Sequence, residues 1–336
     1  MNTSPTKQYM QPSTWRSLWQ LSSTVVCYIG LWFLAYKSLA ISYWLTFAIT
    51  IVASFFAIRT FIIHHDCSHG SFFKSKRWNK VVGRITGFLS LTPFYFWQYK
   101  HNTHHRVSGN LDYRNTGGDI WMMTAQEYIN ASFIKKLTYK LFRNPIILFF
   151  IIAPFYFIIF QRFPFIENKN EIDSTKAKLC NSVYLTNIAM VAAIIGLSLW
   201  IGPLAFIKIE LPIVVMASAL GVWLFYVQHQ FEDTQFEKNA SWDFTKMAIE
   251  GSSFYKLPKL FQWLTANIGY HHVHHANPRI PNYFLPKCHE ATPDFKTVKP
   301  LTFINSIKTV HLKLWDEVQG KLIRFKDLKK RVDTTI

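Results

Sequence analysis

"AISYWLTFAITIVASFFAIRTFIIHHDCSH", residues 40–69, joins a long uncharged stretch to three histidines within six positions. Ala40–Ile58 is long enough to cross a bilayer, whose hydrocarbon core of about 30 Å needs about 20 apolar residues at about 1.5 Å of rise each. His65 follows Ile58 by seven residues. A continued helix would lift it about 10 Å above that end. The pattern is a greasy pillar carrying metal-ligand chemistry at its head.

Three more stretches have the same character. Val183–Ile201 and Ile209–Val227 are of spanning length, and Leu21–Tyr36 reaches it when its flanking Ser and Thr are counted. Half of the 336 residues are hydrophobic, with 30 Phe, 15 Tyr and 12 Trp, and only 17% are charged, against roughly 25% in ordinary soluble domains. The first 20 residues lack a signal peptide's basic start and small-residue cleavage site. The expectation is an all-α integral membrane protein: four transmembrane helices in two hairpins, near 21–38, 40–62, 183–202 and 207–228, under a helical cap bearing the histidines.

The net charge of +18 fits a membrane surface better than nucleic acid. In this topology only Lys37 and Lys208 fall in the two short far-side loops. The other basic residues share the face that the positive-inside rule makes cytoplasmic, with both termini and the histidines, and part of that charge would attract anionic headgroups. Two shorter stretches, near 85–97 and 146–160, contain Pro93 and Pro154. They are predicted to lie shallowly in the cytoplasmic leaflet, because a single crossing would separate the histidine clusters; a six-span protein with distorted short helices is the alternative. Residues 1–20 form a cytoplasmic N-terminal segment and 21–295 the membrane domain. Residues 296–336 form a basic amphipathic segment, where Leu314, Trp315, Val318, Leu322, Phe325 and Leu328 come near helical spacing. It is read as a surface helix or as part of the cap. Cys27, Cys67, Cys180 and Cys288 show no C-x-x-C spacing, which argues against a disulfide framework or zinc ribbon.

Ten of the 13 histidines fall in three clusters, "HHDCSH" (His64, His65, His69), "HNTHH" (His101, His104, His105) and "HHVHH" (His271, His272, His274, His275), and His229 follows the last span by two residues. Pairs at i,i+3 or i,i+4 share one helical face. Adjacent histidines diverge by about 100°, so they can serve different metals. Zinc is content with three or four ligands; eight or nine imidazoles suit two ions. Imidazole alone does not choose among Zn, Cu, Fe and Ni. The absence of E-x-x-H excludes the soluble carboxylate-bridged di-iron bundle.

"HDCSH", "HNTHH" and "HHVHH" resemble the three histidine boxes of integral-membrane fatty acid desaturases. "SGNLDYRNTGGDIW", "GVWLFYVQHQFED" and "NIGYHHVHHANPRIPNYFLPKCHE" are similar to the acyl-lipid branch, with bacterial lipid and omega-6 (Δ12)-type enzymes. The resemblance covers roughly residues 30 to 295. It implies His65, His69, His101, His104, His105, His271, His274 and His275 as ligands, with His229 as an additional one. Two irons, O2 as co-substrate and a membrane acyl-lipid substrate are implied, with no catalytic side chain beyond the metal centre. The acyl-CoA branch has Asn where this chain has Phe225. No G-x-G-x-x-G strand–turn–helix supplies a nicotinamide or flavin site, so electrons are expected from a separate ferredoxin, or a cytochrome b5, at the cytoplasmic face of a bacterial inner membrane. His64 and His272 fall outside the box spacing. Asp66, Asp112, Asp233 and Asn267 are candidate partners of ligand imidazoles, Cys67 is a small buried residue, and "PFYFWQY" (93–99) is a candidate acyl entrance. The rival readings are a histidine-box hydroxylase or ketolase, and a metal transporter or sensor. Transporters place ionisable groups near mid-span, whereas here only Glu210, at the start of the fourth stretch, is charged.

Overall fold

The computed structural model describes residues 4–166 and 172–328. The described residues are mostly helical, with two small sheets and no barrel among them. The helices that organise it are α1 (Thr14–Ser38), α2 (Tyr43–His69), α3 (Lys76–Leu89), α4 (Phe94–Val107), α5 (the composite Pro145–Arg162), α6 (Asp173–Ile201), α7 (Pro203–His229) and α8 (His271–Ala276). Five of them, α1, α2, α5, α6 and α7, are long and apolar enough to cross a membrane. The 146–160 stretch, read from sequence as interfacial, thus lies within a fifth candidate. It contains a π-turn at Leu148–Ile152 and Pro154.

α2 and α7 have 27 residues each, about 40 Å, so each outreaches a 30 Å hydrocarbon core by about two turns. That excess carries their histidines beyond the apolar slab. α2 is the inner pillar: 61% of its apolar window is buried, against none of α6's. One turn below the first histidines, Arg59 donates through Nε to Thr24 Oγ1 at 3.0 Å and stacks 4.3 Å from the Trp263 ring. Gly70, in the left-handed region at φ 69°, ends α2.

Residues 85–97 are not one helix. α3 stops at Leu89, Leu91 takes φ 57°, and Pro93 opens α4; proline lacks the N–H that would continue the ladder. The amphipathic C-terminal helix is also corrected. Leu314–Asp316 (β4) pairs antiparallel with Lys321–Ile323 (β5) and parallel with Met123–Thr124 (β1). A helix is broken there by a turn: Asp316 Oδ1 accepts from the Val318 and Gln319 N–H at 2.9 and 3.2 Å, and Gly320 has φ 59°. Leu314, Trp315 and Leu322 are buried in the cap, as the second sequence reading required, while Val318 is exposed at the tip. Residues 329–336 of that segment lie outside the described residues. A second pair, Phe254–Lys256 (β2) with Pro300–Thr302 (β3), braces the approach to α8.

Candidate metal centre

α2 presents His65 and His69 one turn apart, α4 presents His101, His104 and His105, α7 ends on His229, and α8 carries His271, His274 and His275. α8 is set by its approach. Ala266 and Asn267 have positive φ, and Gly269 O accepts from Tyr255 N–H at 2.7 Å. A Cβ on Gly269 would fall 2.4 Å from Tyr255 O, so this crossing admits only glycine. Gln228, next to His229, donates to Ile268 O at 3.0 Å and ties α7 to the same turn.

The nine histidines singled out from sequence fall into two sets, His65, His69, His101, His105 and His274 in one, His104, His229, His271 and His275 in the other. Within each set one ring nitrogen per residue lies within 4.8 Å of every other. His105 Nε2 is 3.0 Å from the Nε2 atoms of both His101 and His274, and His271 Nε2 is 3.0 Å from His229 Nε2. Two imidazoles bonded at about 2.1 Å with a right angle between them have nitrogens about 3.0 Å apart; a tetrahedral angle requires about 3.4 Å. The closest spacings therefore suit ions of more than four ligands.

Five of the cap's rings are held neutral. Burial first, then neighbouring imidazoles, pushes His101, His105, His271, His274 and His275 well below the usual histidine range. Neutral imidazole is the ligand form. Two carboxylates touch the outer nitrogens. His65 Nδ1 lies 3.1 Å from Asp66 Oδ1, and His104 Nδ1 lies 2.5 Å from Asp119 Oδ1. A metal-bound imidazole has this arrangement, its free N–H donating to a carboxylate that fixes the ring. Asp66 Oδ2 also accepts from the Asn282 backbone and amide at 2.7 and 2.8 Å, linking the first cluster to the chain after the third.

Of the other expected partners, Asp112 accepts from Asn239 N–H at 2.8 Å, Asp233 pairs with Lys299 at 3.0 Å, and Asn267 serves the turn. Asp119 was missed, although the "TGGD" before it is a signal: Gly117 has φ 65°, and a Cβ there would lie 2.6 Å from the backbone nitrogen of His104. That close approach returns the loop to His104. His64 and His272 belong to neither set. His64 Nδ1 bonds Gly83 O at 2.9 Å, pinning α2 to α3, and His272 Nε2 lies 3.0 Å from His289 Nδ1. Cys67 is buried among Ile63, Phe72 and Phe94, as expected. Phe225 sets its ring 5.1 Å from both His104 and His229.

Beneath the histidines lies a cavity of about 340 Å³. Its head is formed by His65, His101, His104 and His271, and its walls by residues of α2, α5 and α7. From the aromatic run at 93–99, Trp97 lines it and stacks on His101 at 4.2 Å.

The family model for fatty acid desaturases matches residues 42–301. A protein of Bacillus subtilis (strain 168) named fatty acid desaturase is 48% identical over 322 residues, 96% of this chain and 89% of its own length. The sn-1 oleoyl-lipid 12-desaturase of Synechocystis is 28% identical over 80% of this chain and 72% of its own. A chloroplastic omega-3 fatty acid desaturase of Glycine max is 25% identical over 88% and 68%. Matched across most of its length, with its histidines gathered into two sets at the head of an apolar cavity, the chain belongs to the fatty acid desaturase family.

Proposed function

We propose that this enzyme introduces a double bond into an acyl chain of a membrane lipid, at a pair of irons held by the two imidazole sets. The observation that carries the reading is the placement of both sets at the head of one apolar cavity. Five imidazoles would hold one ion and four the other. The donor set fits: the rings are buried, those of α8 and of His101 and His105 are held neutral, and the closest spacing suits more than four ligands. The irons would supply, with O2 and two external electrons, the oxidising power to remove two hydrogens from adjacent methylenes; with two protons the oxygen leaves as two waters. The chain's own residues bind and orient. Apolar walls exclude water and enclose the acyl chain, Trp97 holds His101 by stacking, and Asp66 and Asp119 fix the rings of His65 and His104. The acyl-lipid branch is supported by the Synechocystis relative and by Phe225, an apolar ring in the place of the acyl-CoA branch's Asn.

Parity supports four crossings. α5, α6 and α7 lie between His105 and His229, whose rings approach the same cage, so an odd number of crossings between them would put the histidines on opposite faces. α5, at 18 residues about 27 Å long and broken by its π-turn, is the one that stays within a leaflet. The basic face is then cytoplasmic in a bacterial inner membrane, where it steers an acidic ferredoxin, or a cytochrome b5, to the centre. Residues 21–295 act as the membrane domain between two short cytoplasmic segments. Expression in a host without polyunsaturated lipids, followed by fatty-acid chromatography, tests the reaction: a new double bond is expected, and a hydroxylated product would move the chain to the hydroxylase reading.

A further inference from the structure

The cavity does not end at the histidines. Along α7 its lining descends through Phe225, Gly221, Ala217, Val214 and Glu210, and Tyr28 of α1 joins it. At about 1.5 Å per residue, Gly221 lies about 12 Å below His229 and Glu210 about 28 Å below. The cavity is thus a shaft running through most of the bilayer's depth.

Two residues in this shaft are unexpected for a transmembrane helix. Glycine weakens a helix interior relative to alanine, yet Gly221 has no positive φ, and a Cβ there would meet no atom within 4 Å. Neither backbone conformation nor packing requires it. Gly30 and Gly196 have the same freedom but do not line the shaft. An ionisable residue within a span is a functional candidate by default. Glu210 Oε2 accepts from Trp32 Nε1 at 3.0 Å, which fixes the carboxyl group at the shaft's lower end.

From these observations we infer that Gly221 and Glu210 set the acyl-chain length the enzyme accepts, Gly221 by leaving the shaft open and Glu210 by giving it a polar floor. The inference rests on the desaturase reading. Only the methyl end of a lipid's acyl chain can enter apolar walls, because its carboxyl end is esterified to a polar headgroup. The chain therefore passes the histidines and descends until its terminus meets the carboxyl group, which offers it no gain in burial. A large side chain at 221 would shorten the shaft by more than half, and removing the carboxyl group would extend it.

The test uses the full-length protein in a host without endogenous desaturation but with mixed acyl lengths, and reads the ratio of long-chain to short-chain unsaturated product. In Gly221→Phe the ratio should fall, by roughly fourfold for each methylene kept out of the shaft. In Glu210→Leu it should rise. Gly221→Leu and Ala217→Leu, which add less bulk, should move the ratio in the same direction as Gly221→Phe and carry the test if that variant fails to insert. An unchanged ratio in inserted, active variants overturns the depth assignment while leaving the desaturase reading intact. A wild-type protein that makes no double bond overturns both.

Discussion

The two imidazole sets differ in number and in foundation. The set of five takes His65 and His69 from α2 and the set of four takes His229 from α7, while α4 and α8 contribute to both. Each set thus has its own membrane pillar, and the cap bridges them. Adjacent residues on α4, His104 and His105, go to different sets, as their separation of about 100° requires. The set of five has one imidazole more than the set of four, and the Phe225 ring beside the smaller set supplies no fifth ligand.

The largest effect should come from the poorer set. His104→Ala is expected to abolish desaturation while the protein still inserts, and to leave about one iron per chain instead of about two. Near-normal activity would remove His104 from the site, and one zinc in the wild type would refute the di-iron reading. His69→Ala should also lose activity, but with four imidazoles remaining in its set it should keep about two irons. Metal analysis of the two variants side by side decides whether the sets are independent; equal losses would show that they are not.

Asp119→Asn should be milder. It leaves His104 in place but replaces the charged acceptor of its Nδ1–H, a change that typically costs about 10–100-fold in metal affinity or activity. Iron titration and product formation should fall together with no change in membrane insertion. If activity falls while iron affinity holds, Asp119 serves the reaction by another route than orienting the ring.

The sequence discloses one of the two foundations more fully than the other. α2 announces itself, because Ala40–Ile58 runs straight into "HHDCSH". Metal binding was legible because imidazoles at helical spacing beside apolar stretches have few other uses, and the resemblance to the desaturase boxes chose the nine candidates among them. What was not legible depends on contacts distant in sequence. Asp119 reaches His104 through a glycine turn fifteen residues on, and the paired glycines before it mark a turn without saying which residue that turn approaches. Glu210 was seen only as a charge at a span's start, because the shaft above it exists only when α1, α2 and α7 assemble. The C-terminal spacing misled because Leu314, Trp315 and Leu322 bury equally well in a hairpin, and Asp316 with Gly320 decided for the turn. α5 is apolar enough to cross, and its shortness and π-turn argue against a crossing only once the histidines on either side of it are seen to meet.

The C-terminal hairpin also sharpens the comparison, since it clasps the pillar of the set of four. Buried Arg143 donates to Tyr226 Oη at 3.2 Å, to Gln230 Oε1 at 2.9 Å and to Leu312 O at 2.9 Å, which ties the end of α7 to the start of β4. Lys313 donates through Nζ to Arg143 O. Burial first, and then the Arg143 charge, lowers the Lys313 ammonium to about 7. The unfolded chain, with an ordinary lysine, binds more protons than the folded one between about pH 7 and 10.5. Stability should therefore rise with pH across that window, by about 1 kcal/mol per unit at most, and the full penalty is present below it. Lys313→Met should remove the slope and raise the melting temperature at pH 7. Iron content should not change, because the clasp holds the pillar and touches no imidazole of either set. A melting temperature that keeps its pH dependence in this variant would place the titrating group elsewhere, and a loss of iron would show that the clasp reaches the set of four through His229.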